Sequence, residues 1–149
     1  MRRRGLLAGV LAAVALGLVA PSPHAAEQQD NVRRIGVFAA ASPRSAPQYA
    51  AFEQRLREFG YVEGRNLAIE FRTAEGRAER MPELAAELVQ LAPDLIAAVG
   101  SQPLVGALQQ ASHGRVPIVM VAADFDPVAA GFVASLARPS GNIMGVFFR

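Results

Sequence analysis

Three short segments hold the polar side chains best placed to do chemistry. They are Ala41-Ser42-Pro43-Arg44-Ser45, Gly100-Ser101-Gln102-Pro103 and Ala122-Ala123-Asp124-Phe125-Asp126-Pro127, and each follows an apolar run. The first two offer hydroxyls, an amide and backbone N–H groups at the start of a helix. That combination can hold a carboxylate or another anion. Ser42, Ser45 and Ser101 are equally ordinary helix-capping residues, and a helix start can serve both roles. Asp124 and Asp126 could contact a ligand amino group, with Phe125 as an apolar wall. The structural alternative is that Asp126 caps a helix opened by Pro127 while Asp124 is a turn residue.

Several other chemistries are excluded or unsupported. Gly100-Ser101-Gln102-Pro103 lacks the spaced glycines and Lys of a phosphate loop, so nucleotide binding is not expected. Cysteine is absent, which removes disulfides, thiolate metal sites, a cysteine nucleophile and a lipid-modified N-terminal Cys. The two histidines, His24 and His113, cannot build a histidine-rich metal site. His113 precedes Gly114-Arg115 in a surface turn. No Ser or Cys pattern makes it part of a triad, and no Gly-x-Ser-x-Gly elbow exists. The residues argue for no enzyme activity and no cofactor.

The N-terminus reads as an export signal. Arg2, Arg3 and Arg4 precede an uncharged apolar run, Leu6 to Ala20, which Pro21-Ser22-Pro23 breaks before the small residues Ala25 and Ala26. The run is short for a membrane span, so an uncleaved anchor is the weaker alternative. Cleavage after Ala25 or Ala26 both remain open, as do the Sec and twin-arginine routes. Residues 1–26 are assigned to the signal and 27–33 to a polar lead-in. The 149 residues include 15 basic and 13 acidic ones. Three of the basic residues lie in the signal and every acid lies at or after Glu27, so removing residues 1–26 leaves 12 − 13, or −1. The arginines are scattered and there is no Lys, so no nucleic-acid partner is expected.

The remaining chain alternates apolar runs with helical patterns. Strands are expected at Ile35 to Ala40, Leu67 to Phe71, Leu95 to Val99, Val116 to Val121 and Ile143 to Phe147. Helices are expected at Pro47 to Phe59, Glu79 to Leu91, Pro103 to Ser112 and an alanine-rich Pro127 to Leu136. Tyr49, Phe52, Leu56 and Phe59 share one face of the first helix, and Met81, Leu84, Ala85, Leu88 and Leu91 one face of the second. The second strand alternates Leu67, Ile69 and Phe71 with Ala68 and Glu70, as at a sheet edge. Such alternation implies right-handed crossovers and a parallel sheet with helices on both faces. The expected fold is α/β, a doubly wound parallel sheet in flavodoxin-like order 2-1-3-4-5. Ligand chemistry then belongs at the carboxyl ends of strands one, three and four.

Phe59-Gly60-Tyr61-Val62-Glu63-Gly64-Arg65-Asn66 joins the first helix to the second strand. Gly60 suits a left-handed helix stop and Gly64 a second tight turn. Together with Arg34-Ile35-Gly36-Val37, Ala74-Glu75-Gly76-Arg77, Leu84 to Val89, Pro117-Ile118-Val119, Asp126-Pro127 and Leu136-Ala137-Arg138-Pro139-Ser140-Gly141-Asn142, this junction resembles the periplasmic substrate-binding proteins of the tryptophan/tyrosine type of ABC importer. The likeness runs from Arg33 to Val146. It departs at Asn142-Ile143-Met144-Gly145, which has Met where the family usually shows Thr, and fades beyond Val146.

The resemblance implies a two-lobed, type I periplasmic binding protein that closes on its ligand by a hinge motion. This chain, at 34–149, would be the N-terminal lobe, truncated, with the second lobe absent. The family role is to deliver an aromatic amino acid or related solute to an inner-membrane ABC permease. By loop position, ligand contacts would fall on Ser42, Ser101, Gln102, Asp124 and Asp126. A lobe alone is expected to bind weakly, and its exposed cleft face to promote self-association. The other readings are a non-functional remnant, a lobe needing a partner chain, or an enzyme or signalling domain on the same fold. The last would need a cofactor loop or an acidic triad with Lys, and neither is seen.

Overall fold

The computed structural model describes residues 32–122, 124–137 and 141–148. The expected export signal lies outside these residues. Five strands form one sheet: β1 (Arg33–Ala39), β2 (Leu67–Thr73), β3 (Leu95–Gly100), β4 (Ile118–Ala122) and β5 (Ile143–Phe147). All pairings are parallel and the order is β2-β1-β3-β4-β5, as the alternating pattern implied. The helices are α1 (Pro47–Glu58), α2 (Met81–Gln90) and α3 (Gln102–Ser112). A single 3₁₀ turn, Ala78–Arg80, leads into α2.

Register assigns the side chains to faces. Phe38, Ile96, Ala98, Ile118, Met120 and Ile143 point one way and meet Leu84, Ala85 and Leu88 of α2 and Leu104, Val105 and Leu108 of α3. This is the larger core, and Phe38, Leu88, Ile96, Leu104, Leu108 and Ile118 are fully buried in it. Ile35, Val37, Ala39, Leu67 and Ile69 point the other way, beneath Tyr49, Phe52 and Leu56 of α1. The second layer is incomplete. The one helix α1 covers β2, β1 and β3, while Val119, Val121, Met144 and Val146 continue the same face across β4 and β5. Met144 and Val146 are 50% and 54% exposed. Among the described residues the helices therefore lie on both faces, but two on one and one on the other. An apolar recess of about 260 Å³ opens beside α1, floored by Ala97, Val99, Val119 and Val121.

The junction after α1 behaves as its composition required. Gly60 takes φ +87°, its N–H bonding Arg57 O at 2.9 Å while Tyr61 N–H bonds Leu56 O at 2.9 Å. These two bonds cap the last carbonyls of the helix. Asn66 then ties the loop: its Oδ1 accepts from Val62 N–H at 2.8 Å and its Nδ2 donates to Gly60 O at 3.0 Å. Asn142 does similar work before β5, its Nδ2 donating to Val116 O at 2.7 Å and to Ser112 Oγ at 3.3 Å.

The expected helix from Pro127 to Leu136 is corrected. Residues 127–131 make one turn, closed by a bond from Ala130 N–H to Asp126 O at 2.9 Å, and then stop. Gly131 takes φ +77° and repeats the pattern that ended α1: Gly131 N–H reaches Val128 O and Phe132 N–H reaches Pro127 O, both at 3.0 Å. The stop has a packing reason, because the chain beyond it buries Phe132 and Val133 in the larger core. Phe132 meets Phe125 edge-on, with ring centroids 5.7 Å apart.

Candidate ligand-binding site

The carboxyl ends of β1, β3 and β4 lie side by side. The pairing of β1 with β3 extends one residue past the strand, through Ala40 N–H to Val99 O at 3.0 Å. Gly100 has φ +125°, and a Cβ placed there would sit 2.7 Å from the Ala40 Cβ. Only glycine allows this close approach, which brings the loops carrying Ser42 and Ser101 together. The loop after β2 joins the cluster through Gly76 N–H to Ala40 O at 2.8 Å.

Ser101 occupies the cap position of α3 without capping it; its side chain makes no bond to the helix. Its Oγ is buried and has no hydrogen-bond partner among the described residues. An orphaned buried hydroxyl costs about 1–3 kcal/mol, which singles Ser101 out among the strand-top residues. α3 also carries no acidic residue in its first turn, so no carboxylate of the helix itself offsets its positive end. Gln102, the first residue of α3, is exposed.

Ser42 does not cap α1 either. The cap position there belongs to Ala46, and Ser42 Oγ lies 2.9 Å from the Tyr49 hydroxyl. Sequence periodicity placed Tyr49 among apolar core residues and said nothing of its polar tip. Nearby Arg44 is held on the outer side of the loop by Glu53 at 3.1 Å and Glu63 at 2.6 Å. Partial burial opposes its charge, but the hydrogen bonds from Glu63 and Glu53 outweigh that and raise its pKa.

The two aspartates part company. Asp126 Oδ1 accepts from Val128 N–H at 2.9 Å and Ala129 N–H at 3.2 Å. It caps the short turn, in place of the longer helix its sequence suggested. Asp124 is exposed, just beyond the end of β4. His113 sits in the left-handed stop of α3 at φ +48° and is exposed. No group of three or more His, Cys, Asp or Glu suited to a metal exists among the described residues.

Hydroxyls and a helix start thus gather at the carboxyl ends of the strands of a doubly wound sheet. The sequence profile of the ABC transporter substrate binding protein family matches residues 31–147. The chain belongs to that family. The chain is similar to a tyrosine-binding protein of Clostridioides difficile (strain R20291), 37% identical over 94 residues, which make up 63% of this chain and 26% of that one. The ABC domain of a Streptococcus pneumonia protein, solved in complex with L-Trp, superposes with a TM-score of 0.66 at 28% identity. That match covers 77% of this chain and 38% of the other. A ligand-free, open substrate binding protein with adhesive properties from Clostridium difficile superposes with a TM-score of 0.68 at 29% identity, over 76% of this chain and 38% of that one. The chain thus spans well under half the length of the relatives it matches.

Proposed function

We propose that this chain is the N-terminal lobe of the substrate-binding component of an ABC import system, and that it works in the periplasm after its export signal, residues 1–26, is removed. Residues 27–33 are a lead-in and 34–149 the lobe. The ligand is an aromatic amino acid or a related small solute, bound at the strand tops and passed to an inner-membrane permease. Support comes from two relatives, one named for tyrosine binding and one solved with L-Trp. The observation that carries the site is the buried, partnerless Ser101 Oγ at the start of α3. Ser101, Gln102 and Ser42 take the ligand's carboxylate end, and Asp124 takes its amino group. Asp126 contributes by shaping the loop that presents Asp124.

A cleft ligand draws contacts from two lobes, and one lobe supplies a share of them. Losing about 3 kcal/mol of contact weakens binding more than a hundredfold. Residues 27–149 tested alone are therefore expected to bind weakly, short of micromolar affinity. The test is a two-dimensional NMR titration of residues 27–149 with L-tyrosine and L-tryptophan. Shifts at Ser42 and at Gly100 to Gln102, saturating only above micromolar ligand, support the reading. Unmoved amides at these positions at the solubility limit of both ligands overturn it.

The uncovered half of the sheet favours a second reading, in which the lobe associates with another chain or copy. Sedimentation velocity distinguishes the two, since a monomer at 100 µM-scale concentrations (order of magnitude) speaks against association through so apolar a surface.

A further inference from the structure

Tyr49 is 5% exposed, and its ring packs edge-on against Phe71 with centroids 5.0 Å apart. Its hydroxyl alone leaves the apolar layer, to meet Ser42 Oγ at 2.9 Å. The bond can run either way on distance, but the proton count favours one direction. A phenol is the more acidic partner, with an ordinary pKa of about 10, and so the better donor. Among the described residues the Tyr49 hydroxyl has no partner besides Ser42. If Ser42 donated, the phenolic proton of a buried side chain would lack a protein acceptor. The arrangement in which Tyr49 donates and Ser42 Oγ accepts satisfies both hydroxyls within the protein, and the proposal is built on it.

That assignment leaves the Ser42 proton to be given outward, because Ser42 is half-buried at the strand top. A hydroxyl that already accepts a bond is polarised into a stronger donor. The partnerless Ser101 Oγ and the first turn of α3 lie on the adjoining loop. All of these groups favour an acceptor.

We propose that Tyr49 is a positioning residue: by donating to Ser42 it frees the Ser42 proton for the ligand and occupies one of the two Ser42 lone pairs, and so biases the strand tops toward a carboxylate over an ammonium group. This deepens the proposed function and rests on the site lying there.

The test compares L-tyrosine with tyramine, which differs by lacking the carboxylate, in NMR titrations of residues 27–149. The variants are Tyr49→Phe, Ser42→Ala and the double substitution. L-tyrosine is expected to move the Ser42 and Gly100 to Gln102 amides at several-fold lower concentration than tyramine. Tyr49→Phe keeps the ring and its packing, and should weaken L-tyrosine roughly three- to tenfold while leaving tyramine unchanged. Ser42→Ala should produce the same selective loss without touching the core, and adding Tyr49→Phe to it should change little. An equal loss for both probes, or the same Tyr49→Phe loss with and without Ser42, would mean a merely structural tyrosine and overturn the proposal. Full L-tyrosine binding in Tyr49→Phe overturns it as well, while leaving the site intact. Silence of these amides toward both probes in the unaltered protein overturns the site itself, and this proposal with it.

Discussion

At the residue scale, the candidate site is distinguished by what its side chains fail to do for the fold. Ser101 stands where a cap belongs and forms no cap, so its hydroxyl is a cost to the empty protein. Ser101→Ala should accordingly leave stability unchanged or raise it by up to about 1 kcal/mol in urea denaturation, while abolishing the ligand-induced shifts. Asn66 is the contrasting case, a polar residue fully employed by the backbone on both ends of its amide. Asn66→Ala should cost about 1–2 kcal/mol by the same measurement. Glu75 is fully exposed and accepts from Arg77 at 2.6 Å and Arg80 at 2.9 Å. The Arg77 hydrogen bond, then the charges of Arg77 and Arg80, hold its pKa below the ordinary 4.5. A lowered carboxylate pKa adds stability above the ordinary value that is lost as pH falls through the lowered one. At such an exposed position the effect on unfolding is small, and the direct check is a carboxyl-carbon NMR titration in which Glu75 protonates below the ordinary 4.5.

Element by element, the sequence was legible wherever local chemistry and packing agreed. Tyr49, Phe52 and Leu56 form the buried stripe of α1, and Leu84, Ala85 and Leu88 that of α2. Between β4 and β5 they disagreed. Alanines after Pro127 favour helix, but a helix running on to Leu136 would not place Phe132 and Val133 as they pack in the larger core. Gly131 resolves the conflict by turning the chain after one turn, as Gly60 does after α1, although the sequence pattern runs a helix through it. Gly131→Ala at φ +77° should destabilise by about 1 kcal/mol or more and add no helical signal in circular dichroism. A gain in helix content would show that the stop is set by something other than the glycine.

For the whole molecule, the asymmetry of the two layers is the main consequence. Removing a side chain from the complete layer should be severe: Leu88→Ala is expected to cost about 2–5 kcal/mol. Val146→Thr, on the open half of the other layer, should stay within about 0.5 kcal/mol. Comparable losses at both positions in urea denaturation would mean that the open half is covered in solution. A small domain is stable by only about 5–15 kcal/mol, so the Leu88 variant tests the margin of the lobe as a folding unit. The layer asymmetry was not legible in the sequence. Val119, Val121 and Val146 read as interior strand residues, and nothing local states whether a helix lies over them.

The amino-acid sequence by itself determined the class of fold, the strand order and three of its helices, because hydropathy periods of two and near four act through neighbours along the chain. It also located the loops at the strand tops, since a parallel sheet with helical crossovers puts them all at one end. Only the tertiary structure decided which polar residues there are spent and which are left over. Asp126 is consumed by a turn, Ser42 is joined to a tyrosine seven residues away, and Ser101 is left with no partner among the described residues. Each outcome depends on where a second element comes to rest, and a hydroxyl's partners are fixed within about 3 Å by packing that no stretch of sequence records.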